Sequence, residues 1–156
     1  TNASNSSGST GYWNDTEPTA SVFTVGDSSH TGGLTEDYIS YCFHSVEGYS
    51  KVGSYEGNGN ADGTFIYTGF RPAYFLQKRL DATASWLIYD DKRDPYNEAD
   101  TFLRANSNEA GDSGVPIDIV SNGFKIRSSN TSINGSGGTM LYLAFAESPF
   151  KYANSR

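Results

Sequence analysis

A single cysteine, Cys42, rules out an internal disulfide framework. Charged residues make up only 19% of the chain, in keeping with short strands joined by tight turns. No run approaches the roughly 18 apolar residues that a membrane-spanning helix needs. Ala, Leu, Glu, Lys and Gln, the residues that sustain long helices, are scarce beside Gly, Ser, Asn and Thr. Basic residues are outnumbered: the net charge is −7 and the pI about 4.6. A phosphate backbone calls for a basic surface, so nucleic acid is excluded as a general partner. No signal peptide is visible at Thr1, and the chain starts without Met, as a fragment or a processed product does.

The chain does hold 17 Gly, 11 Tyr and 9 Phe in 156 residues, long enough for a real core. Aromatics between Gly/Asn/Ser clusters predict short strands joined by tight turns. Alternating patterns predict strands over Lys51–Glu56, Thr64–Thr68, Ala73–Arg79, Ser85–Asp90, Thr101–Arg104, Pro116–Val120 and Asn122–Arg127, and a closing strand within Gly138–Lys151. No stretch of ten or more residues has helical periodicity. The expected fold is all-β, an antiparallel β-sandwich of the jelly-roll or lectin-like kind, without long helices.

An internal echo shapes the expected organisation. Ile39, Tyr41 and Phe43 match Leu141, Leu143 and Phe145, and Gly48-Tyr49 matches Pro149-Phe150. Upstream of each lies a shorter strand pattern, Ser21–Gly26 against Asn122–Arg127. Phe23 and Phe124 stand 101 residues apart, Phe43 and Phe145 stand 102 apart. Strand, loop and strand therefore recur with one residue of slippage. Residues 1–46 are expected to be the C-terminal portion of an upstream module, with Tyr38–Ser45 as its closing strand. Residues 47–156 are expected to be a complete β-sandwich module. Cys42, in that strand, is expected to be a small core residue.

Few stretches suggest chemistry. Asn2-Ala-Ser4, Asn5-Ser-Ser7 and Asn14-Asp-Thr16 are glycosylation sequons, or simply part of an Asn/Ser/Thr-rich leader. Gly111-Asp-Ser-Gly114 has the look of a serine-protease nucleophile loop, but only His30 and His44 could serve as base, so a surface turn is expected. Asn58-Gly-Asn-Ala-Asp-Gly63 resembles half of a calcium loop and lacks the closing acid, because Gly69 stands there. No metal site, no cofactor and no enzymatic activity are expected. Asp90–Tyr96 packs five charges and a Tyr into one turn, either as internal salt bridges or as a polar ligand contact. Sugar binders combine aromatic platforms with Asn, Asp and Gly groups. That palette marks Asn58, Asn60, Asp62, Trp86, Asp91, Arg93 and Tyr96 as candidate glycan-binding residues. Tyr49, Tyr55, Tyr67 and Tyr89 also sit near such turns. Protein-binding surfaces use a similar mixture.

Several blocks resemble one family: Tyr41-Cys-Phe-His-Ser-Val-Glu-Gly-Tyr-Ser-Lys51 with its continuation to Gly63, Tyr67-Thr-Gly-Phe-Arg-Pro-Ala73, Lys92-Arg-Asp-Pro-Tyr-Asn97, Ser121–Arg127, and Leu143-Ala-Phe-Ala-Glu147. They are similar to uncharacterised C-terminal modules of tail-fibre and other virion appendage proteins in tailed bacteriophages. The resemblance extends to Trp13–Gly26 and so covers nearly the whole chain. It implies a lectin-like sandwich on the virion surface, extracellular when functional. It further implies a homo-oligomer, a trimer by analogy with phage fibres, with other virion proteins and a host-surface glycan as partners. It carries no catalytic residues. Three roles follow as expectations: a receptor-binding module, a purely structural virion component, and last a glycan depolymerase.

Overall fold

The computed structural model describes residues 10–149 and forms two compact units, 10–42 and 43–149 in its described part. All the strands belong to the second unit. They are β1 (Ser50–Glu56), β2 (Phe65–Tyr67), β3 (Pro72–Arg79), β4 (Leu87–Asp90), β5 (Leu103–Arg104), β6 (Ile117–Val120), β7 (Gly123–Ile126) and β8 (Thr139–Ala146). The described helices, α1 (Thr10–Trp13) and α2 (Thr131–Asn134), are single turns. Each strand expected between Lys51 and Ala146 is present; β1 and β3 each begin one residue earlier than expected, and the others are trimmed by one or two residues at one or both ends. Phe150 and Lys151 of the expected closing strand lie outside the described residues, as do Asn2 and Asn5.

The strands form two antiparallel sheets, ordered β1-β8-β3-β4-β5 and β2-β7-β6. The protein is thus an all-β, sandwich-like module. β8 is central to the larger sheet: it pairs with β1 from Glu56↔Thr139 to Ser50↔Phe145, and with β3 from Arg79↔Met140 to Pro72↔Ala146. Period-two alternation divides its side chains. Met140, Tyr142 and Ala144 turn inward and are buried. They meet Phe75, Gln77, Leu87, Tyr89 and Tyr55 of the same sheet, and Phe124, Ile126, Ile117 and Ile119 of the smaller one. The aromatic rings interlock, with Phe75 and Phe124 centroids 3.9 Å apart. Tyr55 and Tyr89 donate their buried hydroxyls to Ile133 O and Val115 O, both at 2.8 Å. Desolvation raises the pKa of both phenols, so they remain neutral donors.

The opposite face of the larger sheet is also apolar. Register places Val52, Leu143, Leu76, Ile88 and Leu103 in one row across all five strands. All five are half-buried.

The first unit differs from expectation. Neither Ser21–Gly26 nor Tyr38–Ser45 forms a strand. Backbone hydrogen bonds there close local turns, such as Thr31 N and Gly32 N to Ser28 O, and tie Gly26 N and Ser28 N to Tyr12 O and Gly11 O of α1, without forming a ladder. Tyr38 Oη donates to Ser29 O at 2.7 Å and accepts from Gly33 N. Cys42 is exposed, not a core residue, because no second strand lies alongside to bury it.

Candidate functional site

The sandwich has two ends. Glu56, Arg79 and Thr139 mark one; Ser50, Pro72, Asp90 and Ala146 mark the other. Eight residues of β8 separate them by about 23 Å at 3.3 Å per residue. The sequence-derived candidates divide between the ends. Asn58, Asn60 and Asp62 lie in the β1–β2 loop at the first end, and Trp86 enters β4 from that side. Asp91, Arg93 and Tyr96 follow β4 at the second.

At the first end the polar groups are spent on one another. Asn58 Oδ1 accepts from Asn60 N at 2.9 Å, and Asn60 Oδ1 accepts from Asp62 N at 3.0 Å. Asn58 Nδ2 donates to Asp62 O at 3.0 Å. The group that organises the loop is Asn134, fully buried at the end of α2. Its Nδ2 donates to Asn58 Oδ1 and Asn60 O at 2.8 Å and to Ser128 O at 2.9 Å, while its Oδ1 accepts from Asn58 N at 3.0 Å. Gly57 permits this approach: a Cβ there would lie 2.3 Å from Gly135 O. Asp62 reaches Lys125 Nζ at 2.8 Å, and this hydrogen bond holds its carboxyl below the usual range. The half calcium loop is therefore a self-satisfied turn. Among the described residues no group of three or more His, Cys, Asp or Glu is placed to hold a metal. Sequence reasoning missed Asn134, which lies in a Ser/Asn/Gly loop with no periodic signal.

The charged turn at the second end is likewise built by its own ion pairs. Asp90 Oδ1 accepts from Lys92 N and Arg93 N, at 3.0 and 2.7 Å, and Asp90 Oδ2 pairs with Arg93 Nη1 at 3.1 Å. Asp91 is buried and paired with Lys92 Nζ at 3.2 Å. Asp94 caps the backbone of Asp100 and Thr101. Tyr96 projects outward, 83% exposed. In the Gly111–Gly114 stretch, Asp112 is ion-paired to Arg104 and bridged to Phe102, so the nucleophile look-alike is a surface turn.

Among the described residues of this unit, two clefts bear on binding. One, of about 330 Å³, is walled by Thr83, Ser85, Phe102, Arg104, Asn130 and Ser132, among others. Its strongest polar group is already engaged: Arg104 lies over the Phe102 ring and pairs with Asp112 and Glu109. The other, of about 470 Å³ at the second end, is lined by Glu47, Gly48, Lys51, Tyr67, Thr68, Gly69, Phe70 and Ser148. Tyr67 leans from the smaller sheet's edge strand and is 65% exposed. Gly69 takes φ +87°, a conformation that favours glycine, and turns β2 toward β3 beside the Tyr67 ring. Gly48, at φ +71°, turns the chain into β1 on the facing wall. The cleft thus joins a phenol ring, an acid, a base and side-chain-free backbone. Among the described residues lining it, Glu47 is the one carboxylate, and Asp91, Arg93 and Tyr96 are not part of the wall. The palette was legible in Tyr67 and the Gly-rich turns. The convergence was not, because Glu47 and Tyr67 are brought together only by the packing of the two sheets.

No helix among the described residues is long and apolar enough to cross a membrane. The chain belongs to the family described as a domain of unknown function (DUF7483), which matches residues 1–149. No curated protein and no solved structure matches it.

Proposed function

We propose that this module is a non-covalent glycan-recognition unit of a bacteriophage tail-fibre-like virion appendage, exposed outside the particle and facing the host surface. The observation that carries the binding role is the Tyr67 cleft. A sugar ring would stack on the exposed phenol, Glu47 and Lys51 would hydrogen-bond its hydroxyls, and Gly48 and Gly69 leave room for it to approach the backbone. Tyr96 at the same end is a second outlying platform. Asn58 and Asn60 drop out of the ligand role, because their side chains hold the loop. The virion setting rests on the sequence resemblance, as does assembly into a homo-oligomer with other virion proteins. Hydrolysis in the glycosidase manner needs two carboxylates across the bond, and among the described residues lining this cleft Glu47 is the one carboxylate. That favours binding without cleavage.

The test is a glycan-array screen of the chain beside Tyr67→Ala. A specific glycan bound by the parent, with at least about a tenfold loss in the variant and unchanged thermal stability, supports the reading. Equal binding by both proteins moves the site elsewhere. A blank array together with unimpaired cell adsorption by Tyr67→Ala and Tyr96→Ala particles removes the glycan role.

One observation favours a second reading, a structural packing module. The half-buried row Val52–Leu143–Leu76–Ile88–Leu103 is a flat apolar face of the kind that subunits bury against one another.

A further inference from the structure

Strand β1 carries Lys51 on the inner face of the larger sheet. Lys51 stands opposite Ala144, which is fully buried, and directly opposed residues share a face. Its side chain lines the second-end cleft with Glu47 and Tyr67. The other bases among the described residues are all engaged. The arginines, Lys92 and Lys125 each pair with a carboxylate, and Lys78 Nζ donates to Arg79 O at 2.6 Å. Lys51 is the one described lysine or arginine whose side chain makes neither an ion pair nor a hydrogen bond. Glu47 lines the same cleft and does not pair with it. In a chain of net charge −7, where carboxylates are in excess, a base left without an acid is the exception.

We infer that the cleft selects a sugar carrying one negative charge, a carboxylate or a sulfate ester, which Lys51 Nζ binds. The inference rests on the glycan reading of the cleft and names the class of sugar. An ammonium donating to an anionic oxygen makes a charge-assisted hydrogen bond, roughly twice as strong as a neutral one. With the ring on Tyr67, the acidic group meets Lys51 and the hydroxyls meet Glu47, which accepts hydrogen bonds and repels a second anion. A phosphate monoester carries nearly two charges at neutral pH and calls for more than one base. Among the described residues lining the cleft there is no arginine and no second lysine. The chain as a whole repels anions, so a preference for the acidic sugar arises at Lys51 and not from the general field.

The experiment titrates the full chain with uronic-acid oligosaccharides and with sulfated oligosaccharides. Each is set beside its neutral counterpart of the same linkage, carboxyl-reduced or desulfated. Lys51→Met, Lys51→Arg and Tyr67→Ala are compared with the parent after thermal unfolding shows equal stability. At least one acidic probe is expected to bind the parent about tenfold more tightly than its neutral counterpart. That ratio falls to about one in Lys51→Met, returns in Lys51→Arg, and shrinks as salt is raised. The two arms tell carboxylate from sulfate. Acidic and neutral probes bound alike by the parent overturn the inference, as does a ratio unchanged in Lys51→Met. If Tyr67→Ala still abolishes binding in those cases, the cleft stands as the site without a charge preference. Binding that survives Tyr67→Ala overturns the cleft reading and this inference with it. A parent that binds none of the acidic probes also overturns the inference, whatever neutral glycan it holds.

Discussion

Asn134 Nδ2 donates to Asn58 Oδ1 at 2.8 Å across 76 residues of sequence, and this bond ties the β1–β2 loop to the turn that precedes β8. The same amide also reaches Asn60 O and Ser128 O, so one buried side chain holds the β1–β2 loop to the β7–β8 connection. A buried amide with its bonds made stabilises, and the same groups left unpaired cost more than the bonds contributed.

Asn134→Ala should therefore destabilise the module by about 2–3 kcal/mol, read as a lower midpoint in urea unfolding. Asn134→Asp should be worse, since a carboxylate would face the carbonyl oxygens of Asn60 and Ser128. Asn58→Ala removes fewer bonds and should cost less. A loss below about 0.5 kcal/mol for Asn134→Ala would show that the loops hold without this bridge.

Gly53 faces Tyr142 across the β1–β8 pair, and a Cβ there would lie 2.9 Å from the Tyr142 hydroxyl and 3.0 Å from its ring. Tyr142 is 4% exposed and has little room to withdraw. Gly53→Ala is expected to cost about 1–3 kcal/mol through overpacking. Tyr142→Phe removes the nearest atom, so the double variant should recover part of the loss. A double-mutant cycle with no coupling would refute the steric account.

Arg79 clasps Asp81 with two hydrogen bonds, Nε to Oδ1 at 2.9 Å and Nη2 to Oδ2 at 3.1 Å. The guanidinium lowers the Asp81 carboxyl from the ordinary 3.8 to about 2. The folded value is depressed, so the pair's contribution is fully present above the unfolded value and is lost as the pH falls from 3.8 toward about 2. Both groups meet solvent, so the contribution is small. NMR titration should find the Asp81 midpoint near the lower value and, in Arg79→Met, returned toward the upper. Coincident midpoints in the two proteins would contradict the pairing.

Leu143 stands mid-row on the outer face of the larger sheet, with Val52 on one side and Leu76 on the other. If that face is an interface between subunits, Leu143→Glu should shift the chain to a smaller species in sedimentation velocity and leave its circular dichroism unchanged. Identical sedimentation of parent and variant would exclude the row as an oligomer contact.

Alternation of the kind seen in Ser85–Asp90 and Asn122–Arg127 depends on residues one or two apart, and this is why the eight strands of residues 50–146 could be read directly. Phe124 and Ile126 were assigned one face and are both fully buried. Ser21–Gly26 and Tyr38–Ser45 carry equally good patterns and form no ladder. A strand is a relation between chains, and the pattern specifies only one side of it. The site shows the same limit. Asn58, Asn60 and Asp62 have the composition of a ligand loop, yet Asn134 and Lys125, distant in sequence, engage Asn58 Oδ1 and the Asp62 carboxylate, and Asn60 Oδ1 is held within the loop. Glu47 and Tyr67 carry no joint signal and nonetheless line one cleft.

By itself the sequence determined the all-β class and, within residues 50–146, where the strands lie and which side chains face inward, because each depends on local alternation and turn chemistry. The tertiary structure alone decided that β8 is central, that the candidate residues lie at opposite ends of the sandwich, and that Glu47 and Tyr67 line one cleft. Those facts depend on which strands pair and which polar groups satisfy one another, and such contacts are made between residues far apart in the chain.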